Sequence, residues 1–356
     1  METITNSLQL DRSDTYLPDD DPTAAERKED HIALAFKSQV QSGELDRRFS
    51  YEPLLAAHPA RGSWPSFSFL GKTMRAPLWV SSMTGGTEKA QRINQNLARA
   101  CGEFGMGMGL GSCRPLLYSD ERLPDFAVRH LIGEEQLLFA NLGIAQLEQL
   151  ITEKELWRVP AMLEKLAADG LIVHVNPLQE WLQPEGDRFQ RSSLETIETV
   201  LNELPNVPLV VKEVGQGMGR ASLRALLRLP LAAIDFAASG GTNFAKLELL
   251  RSTPEQQLIY EPLACIGHTA EEMVSITNEL VVELGDQVAC QQVIISGGVR
   301  NFLDGYYLME KLSLLSIYGQ ASAFLRHAQG DYAQIQTYVT SQIQGLELAK
   351  AFLQIR

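Results

Sequence analysis

The chain has 356 residues, of which 45% are hydrophobic, and its formal net charge is -13 at pH 7. That length suits one large α/β domain or two smaller ones, and the negative charge argues against general binding to nucleic acid or to anionic membranes. No stretch reaches the ~18 consecutive apolar residues that a membrane-spanning helix needs.

At the N-terminus, the first twenty residues lack the basic start and apolar centre of a secretory signal and the Arg-rich composition of a transit peptide. We therefore expect a cytoplasmic protein. Residues 1–26 should be a disordered acidic extension, and residues 27–356 should form a single domain. The cysteines are scattered without a metal-ligand spacing, which indicates reduced and mostly buried thiols. They are Cys101, Cys113, Cys265 and Cys290.

The first ordered elements are predicted to be a helix and a hairpin. The segment RKEDHIALAFKSQVQ, from Arg27 to Gln41, has apolar residues at helical spacing. The later segment SFSFLGKTMRAPLWV predicts a hairpin that turns at Gly71 and Lys72 and leads into a buried strand.

A regular alternation of strands and helices follows. The strand-like runs are LWVSSMT, MGMGLGS, LLFANLG, LIVHVNP, PLVVKEVG, AAIDFAASGG, QVIISGG and LLSIYGQ. Helical stretches lie between them, for example at 87–104, 156–169, 192–204 and 270–284. Short apolar strands alternating with helices pair in parallel through right-handed crossovers, and eight such units predict a (β/α)₈ TIM barrel behind an N-terminal helical arm.

An open doubly wound sheet is the competing fold. Its dinucleotide fingerprint, GxGxxG at the opening of the first helix, is missing from the first unit. The Gly-rich run GMGMGLGS at 105–112 belongs to the second strand and matches it weakly. The barrel is therefore favoured.

Polar residues gather where the predicted strands end. They include Ser82-Met83-Thr84, Ser112-Cys113-Arg114, Asn141, His174, Asn176, Lys212-Glu213, Ser239-Gly240-Gly241-Thr242, Ser296-Gly297-Gly298 and Gly319-Gln320. One polar strand end could simply cap the following helix. Because the C-terminal strand ends of such barrels build the active site, polar groups on nearly every strand predict a bound ligand.

The types of residue suggest which ligand this is. Glycines after the seventh and eighth strands could hold a phosphate on bare backbone N–H groups, or could only form tight turns. Lys212 could stabilise a reduced flavin, which favours FMN, or could pair with Glu213 or Asp235. Glu180, just beyond the fourth strand, is a Mg²⁺ candidate, although most glutamates are solvated surface residues. A zinc site is disfavoured because His174 has no partner at ligand spacing.

Basic residues occur in two places. Arg27, Lys28 and His31 lie on one stretch of the N-terminal helix, and Arg114 follows the second strand. Guanidinium and ammonium groups suit a diphosphate, although a run such as RKEDH is more often an ordinary charged helix start.

Taken in order, these segments resemble the FMN-dependent type 2 isopentenyl-diphosphate isomerases. The matching segments are RKEDH, SSMTGGTEKAQRIN, GMGLGSCR, ANLG, HVNPLQE, VVKEVGQG, ASGGTNFAKLE and ISGGVRN, which span nearly the whole chain. The combination of HVNPLQE with SMTGGT is highly specific. The resemblance implies a (β/α)₈ fold, FMN, Mg²⁺, NADPH as reductant, interconversion of isopentenyl and dimethylallyl diphosphate, and a homotetramer or homo-octamer.

The resemblance also implies roles for individual residues. FMN would contact Ser82, Met83, Thr84, Ser112, Asn141, Lys212, Thr242, Gly297, Gly298, Val299, Ala321 and Ser322. The substrate diphosphate would be bound by Arg27 and Lys28, with Ser112, Arg114, His174 and Asn176 nearby. Gln179 would face the reacting isoprene, and Glu180 would bind Mg²⁺. Because Gln179 is a poor acid, the proton carrier would be reduced FMN itself.

Several segments depart from the family pattern. The chain has GGTNF for GGTSW, IGHT for WGIPT, and GQAS at 319–322 for GMAR or GMAQ. The last change bears on the phosphate contacts of the eighth strand. Other flavin-barrel enzymes remain alternatives, such as a 2-hydroxy-acid oxidase, which would need a histidine base where this chain has Ser239. A barrel with Cys265 as nucleophile and a non-catalytic FMN- or phosphate-binding regulator are further alternatives.

Overall fold

The computed structural model describes residues 23–82 and 88–356. Met83 and Thr84, which we expected to contact FMN, lie outside the described residues, as does most of the expected acidic extension. The chain divides into a short unit that ends at Arg48 and a large unit that runs from Phe49 to Arg356.

The short unit contains helix α1, Ala24–Leu34, followed by a 3₁₀ turn, Ser42–Glu44. The helix begins three residues before Arg27 and ends well before Gln41, so its predicted C-terminal boundary is wrong. Beyond Leu34, the Ser38 hydroxyl donates to the carbonyl of Ala35 at 3.2 Å, a local bond that competes with helix continuation.

The large unit is a (β/α)₈ barrel, as predicted. Its described strands are β1 Phe49–Tyr51, β2 Phe67–Phe69, β3 Lys72–Met74, β4 Leu78–Val80, β5 Gly107–Gly109, β6 Leu138–Gly143, β7 Gly170–His174, β8 Leu209–Lys212, β9 Ala233–Asp235, β10 Gln292–Ser296, β11 Leu315–Gln320 and β12 Leu353–Ile355. Strands β4 to β11 pair in parallel, and the pairing of β11 with β4 closes the barrel. These are the eight runs identified in the sequence.

The helices cover the outside of this barrel. They are α2 Glu88–Phe104, α3 Leu123–Phe126, α4 Arg129–Ile132, α5 Ile144–Thr152, α6 Arg158–Leu166, α7 Pro177–Leu182, α8 Ser193–Glu203, α9 Arg220–Leu227, α10 Phe244–Arg251, α11 Pro254–Ala264, α12 Ala270–Leu284, α13 Phe302–Lys311, α14 Ser322–Ala328 and α15 Tyr332–Phe352. Capping boxes start α8 at Ser192 and α12 at Thr269, which explains why these boundaries were predicted closely.

The barrel interior is layered because side chains alternate along each strand. Phe139, Ile172, Val210, Ala233 and Ile294 form an apolar layer inside the barrel. The predicted hairpin, β2 with β3, contributes buried residues to the same cluster. Two residues further along the same strands stand Asn141, His174, Lys212, Asp235 and Ser296. Residues two positions apart on a strand face the same side, so the apolar layer is followed by a polar layer at the C-terminal end of the barrel.

Two further features complete the unit. Strand β1 pairs antiparallel with β12, so the first and last strands of the unit are joined. Across residues 23–82 and 88–356, none of the helices is both long enough and apolar enough to cross a bilayer.

Candidate active site

A cavity of about 320 Å³ opens at the C-terminal end of the barrel, within the size range of small-molecule sites. We call it the barrel-end cavity. Its lining includes the predicted cofactor residues Ser82, Lys212, Thr242, Gly297, Gly298, Val299, Ala321 and Ser322. It also includes Ser81, Gly240, Gly241, Arg300, Gln320, Arg326, His327 and Tyr338, to which the sequence analysis assigned no contact.

Two glycine pairs form one wall of this cavity. A Cβ atom on Gly240 would lie 3.2 Å from the Cα atom of Gly298, and one on Gly241 would lie 3.2 Å from the Gly298 nitrogen. Gly297 has φ +86°, and its Cβ would lie 2.1 Å from the carbonyl oxygen of Ala238. Tight turns and close packing of two loops therefore both require glycine here.

The lining of the cavity also carries positive charge and uncapped backbone donors. Helix α13 is capped by Asn301, whose side-chain oxygen accepts from the N–H groups of Leu303 and Asp304. Helix α14 begins after Ala321 with no side-chain cap from residues 23–82 or 88–356, which suits its first N–H groups to an anion. Arg300 and Arg326 line the same region. Arg326 was missed in the sequence, although its spacing of four from Ser322 places both on one helix face.

Two serine hydroxyls next to the cavity are buried and unsatisfied. Within the described residues, the hydroxyl oxygens of Ser81 and Ser82 contact no hydrogen-bond partner. A Cβ on Gly319 would lie 2.6 Å from the Ser81 oxygen, and one on Gly109 would lie 2.5 Å from the Ser82 oxygen. Because buried polar atoms normally have partners, these hydroxyls indicate a polar ligand.

Lys212 projects into the cavity from the end of β8 and is 6% exposed. Its ammonium group donates to the backbone carbonyl of Glu213 at 2.7 Å. Burial lowers the pKa of Lys212, and the charges of Asp235 and Glu213 oppose that shift. The predicted electrostatic partners are therefore present, but the hydrogen bond goes to the main chain.

Asp235 carries the negative charge of this layer. It is fully buried and lies beside Lys212 in the strand register. The Ser296 hydroxyl donates to its Oδ1 at 2.5 Å, and its Oδ2 has no hydrogen-bond partner within the described chain. Burial raises the pKa of this carboxyl group, while Lys212 lowers it. The two side chains thus compensate one another beneath the cavity.

Glu213 is committed to the loop that follows β8. Its Oε2 accepts from the N–H groups of Gly215, Gln216 and Gly217 at 2.7, 2.6 and 3.0 Å. This nest of donors fixes the backbone next to Lys212. The residue is thus structural, which its position in the sequence alone did not reveal.

His174 joins the cavity to a second polar group. It pairs in register with Lys212, and its Nδ1 lies 2.7 Å from the Asn141 side-chain oxygen. Burial, reinforced by the charge of Lys212, lowers the pKa of His174 to about 3. The imidazole is therefore neutral at neutral pH, with Nδ1 as donor to Asn141 and Nε2 as acceptor.

Asn176, Gln179 and Glu180 form the rest of this group. Together with His174 we call it the strand-four cluster, because it follows β7, which is the fourth strand of the barrel. The Asn176 amide donates to Gln179 Oε1 at 3.2 Å and to Glu180 Oε1 at 3.0 Å. The Asp187 backbone N–H donates to Glu180 Oε2 at 2.8 Å. These bonds hold the buried Glu180 carboxylate in place.

The strand-four cluster offers oxygen atoms of the kind that Mg²⁺ binds. Among the described residues, no group of three or more His, Cys, Asp and Glu side chains could hold a metal ion. Mg²⁺ needs only one or two protein oxygens, because water and phosphate oxygens complete its octahedron. Glu180 supplies a carboxylate, and Asn176 Oδ1 is buried without a hydrogen-bond partner in the described part of the chain.

The remaining predicted substrate residues lie in two places. Ser112 and Arg114 are exposed beyond β5, and the Arg114 guanidinium lies 3.4 Å from Asp187 Oδ2. The Gln146 amide donates to the same carboxylate oxygen at 3.1 Å. The sequence analysis missed Asp187 and Gln146, because neither stands at a strand end.

Arg27 and Lys28 lie on α1 in the short unit, where both are exposed. His31, four residues after Arg27, shares its helix face. The predicted barrel residues that the structure describes thus lie in the large unit, and these basic residues lie in the short unit.

Comparisons with known proteins agree with this arrangement. No family model matches the chain. The chain is 34% identical to the isopentenyl-diphosphate delta-isomerase of Rickettsia akari (strain Hartford) over 319 residues, which is 88% of each chain. It is also 34% identical to that of Rickettsia africae (strain ESF-5), over 85% of this chain and 86% of the relative.

Solved structures show the same fold at low sequence identity. The recombinant flavin-binding domain of baker's yeast flavocytochrome b2 superposes with a TM-score of 0.58 at 13% identity, over 85% of this chain and 72% of that chain. A mandelate oxidase mutant with a monooxide FMN adduct gives 0.51 at 13% identity, over 87% and 88%. These likenesses support the barrel, whereas the extensive identity to the rickettsial enzymes shows that this chain belongs to the isopentenyl-diphosphate delta-isomerase family.

Proposed function

We propose that this protein interconverts isopentenyl diphosphate and dimethylallyl diphosphate, with FMN in the barrel-end cavity and Mg²⁺ at Glu180. The observation that carries the proposal is the register pair of His174 and Lys212, which joins the strand-four cluster to the cavity. A flavin and a diphosphate substrate would then meet at one end of the barrel.

The residues of the cavity fit FMN. Lys212 and the unsatisfied hydroxyls of Ser81 and Ser82 suit the polar edge of the ring. The wall of Gly240, Gly241, Gly297 and Gly298 carries no side chains, which allows close approach of a planar group. The uncapped start of α14 suits the phosphate.

The predicted contacts that complete the flavin site belong to the same proposal. They are Met83, Thr84, Ser112, Asn141, Thr242, Val299, Ala321 and Ser322. Reduced by NADPH, FMN would supply proton addition and removal without net redox change.

The strand-four cluster provides the substrate-binding groups. Asn176 donates hydrogen bonds to both Gln179 and Glu180. It therefore fixes Gln179, which is proposed to face the isoprene, relative to Glu180, the proposed metal ligand. Neutral His174 offers a hydrogen bond without adding charge. Arg27, Lys28, Ser112 and Arg114 would bind the diphosphate.

A homotetramer or homo-octamer in the cytoplasm completes the proposal. Helix α11 buries none of its residues, and Leu258 and Ile259 on it are exposed. Apolar side chains of this kind, grouped on one helix, are suited to subunit contacts.

A 2-hydroxy-acid oxidase is the second candidate, because the barrel is similar to those of mandelate oxidase and flavocytochrome b2. That chemistry would need a base in place of Ser239. Here the Ser239 hydroxyl donates to the backbone carbonyl of Gln216 at 3.3 Å, so it is engaged in the loop. This observation favours the isomerase.

A turnover assay tests the proposal. Purified protein is incubated with isopentenyl diphosphate, FMN, Mg²⁺ and NADPH, and each component is omitted in turn. We expect dimethylallyl diphosphate only with reduced FMN and Mg²⁺. We expect Glu180→Gln to lower kcat/KM at least about a hundredfold. The matched control is Glu185→Gln, in the loop that follows α7, which should remain active. Yellow, FMN-loaded protein that forms no product would reject the isomerase.

A further inference from the structure

The eighth barrel strand ends in a buried amide that has hydrogen-bond partners on both sides. Gln320 is 4% exposed and lines the barrel-end cavity. Its Nε2 donates to the carbonyl of Val299 at 3.1 Å, and its Oε1 accepts from the Tyr338 hydroxyl at 2.7 Å. One side chain therefore connects β11, the loop after β10 and helix α15.

This amide is placed between the two loops that face the anion-binding end of the cavity. Val299 directly follows Gly297 and Gly298, and Ala321 and Ser322 directly follow Gln320. Because the carbonyl of Val299 is held by Gln320, the orientation of the peptide groups around it is restricted. Gln320 thus holds the loop of Gly297 and Gly298 through its side chain, and its backbone directly precedes the segment that leads into α14.

Tyr338 is itself held by aromatic neighbours. The His327 ring stacks on it with centroids 4.4 Å apart and an interplanar angle of 14°. The Phe324 ring meets its edge at 5.7 Å. Both neighbours belong to α14, so the tyrosine links α15 to the helix whose uncapped N-terminus faces the cavity.

The amide is not needed to fill space. A methionine would occupy a similar volume without a polar group that must be satisfied. An amide buried at this position is useful only if both of its bonds are made, and here both are. The function of Gln320 is therefore to fix geometry.

We propose that Gln320, supported by Tyr338, is a positioning residue that orients the two loops toward the terminal phosphate of the flavin cofactor. This inference rests on the proposed FMN site. It assigns part of the phosphate-dependent flavin affinity to the contacts that Gln320 makes with Val299 and Tyr338, in addition to the groups that touch the phosphate.

Binding of FMN and of riboflavin, which lacks the phosphate, separates this role from general stability. Full-length apoprotein is titrated with each flavin by fluorescence quenching. We expect Gln320→Met to raise the Kd for FMN about tenfold, which is about 1.4 kcal/mol, and the Kd for riboflavin less than about twofold. Tyr338→Phe should raise the Kd for FMN about threefold with the same selectivity.

The chain offers a matched control. Gln342 is also buried, and its Oε1 accepts from the Tyr318 hydroxyl at 3.2 Å. We expect Gln342→Met to leave both dissociation constants within about twofold. Circular dichroism confirms folding, and Tyr338→Phe serves if Gln320→Met does not fold.

The outcomes are distinct. Equal loss of FMN and riboflavin binding in Gln320→Met, or no loss of either, would overturn the positioning role while leaving the proposed function intact. Wild-type protein that binds neither flavin would overturn both the inference and the proposed function.

Discussion

His174 shows how neighbouring groups set the charge of a single side chain. The sequence marked it as a polar residue at a strand end, where either a neutral or a charged imidazole was possible. The structure half-buries it beside Lys212, and both effects favour the neutral form. A neutral ring beside Asn141 acts as a hydrogen-bonding group and not as a cation for the diphosphate.

This charge state makes the apoprotein sensitive to acid. The pKa of His174 is about 3 in the folded protein, against about 6.5 in an unfolded chain. The unfolded state therefore binds the proton first, and the free energy of unfolding falls by about 1.4 kcal/mol per pH unit below about pH 6.5.

We expect His174→Gln, which cannot be protonated, to lose about 2 kcal/mol less stability than wild type between about pH 7.5 and pH 5. Urea unfolding of both apoproteins at the two pH values measures the difference. Parallel losses of stability would show that His174 does not control this sensitivity.

Lys212 leads to a prediction about the cofactor. A positive charge next to the flavin would stabilise an anionic reduced form more than a neutral oxidised form. We expect Lys212→Met to lower the midpoint potential of bound FMN by about 30 mV or more, a tenfold change for a two-electron couple. Spectroelectrochemical titration measures it, with exposed Lys246→Met as control. An unchanged potential would exclude this role.

At the scale of elements, strand-end loops pack on one another through glycine. The pairs at 240–241 and 297–298 approach closely enough that a single Cβ atom would displace backbone. The sequence left open whether these glycines only form turns. The structure shows that they also allow two loops to lie in contact, where both line the cavity.

Two alanine substitutions separate the cost of an unfavourable backbone conformation from the cost of displacing a packed loop. Gly297 and Gly62 both have positive φ, at +86° and +72°, but only Gly297 has backbone within reach of a Cβ atom. We expect Gly62→Ala to cost about 1–2 kcal/mol from backbone conformation alone.

Gly297→Ala should cost at least about 2 kcal/mol more than Gly62→Ala, and it should abolish FMN binding. Thermal unfolding and flavin titration of both variants measure these effects. Equal stabilities would indicate that the loops can separate without cost.

At the scale of the whole molecule, helix α1 adds exposed cations to a strongly acidic chain. Lys28 is exposed on α1, and α1 buries none of its residues. A substitution there should therefore leave stability almost unchanged. In a protein of net charge -13, a local cation also helps to attract a diphosphate.

We expect Lys28→Gln to lower kcat/KM for isopentenyl diphosphate at least about tenfold, with FMN affinity and the free energy of unfolding unchanged within about 0.5 kcal/mol. Lys37→Gln, in the same unit, is the matched control. Steady-state kinetics and urea unfolding test the two variants. Equal activity of Lys28→Gln and wild type would remove Lys28 from the proposed substrate site.

The sequence by itself determined the barrel and predicted a candidate site at one end of it. Alternation along short strands fixed which side chains face inward, and polar residues such as Asn141, His174 and Lys212 at regular strand-end positions indicated the candidate functional end. Capping residues fixed several helix boundaries. These signals are local, since each depends on residues a few positions apart.

Only the tertiary structure decided which distant groups meet. Closure of the barrel places Gln320 between Val299 and Tyr338, and Asp235 beside Lys212. The fold of the loop after α7 brings the backbone of Asp187 to Glu180. No spacing encodes these contacts, because they depend on how separate elements pack, and packing also sets the burial that makes His174 neutral.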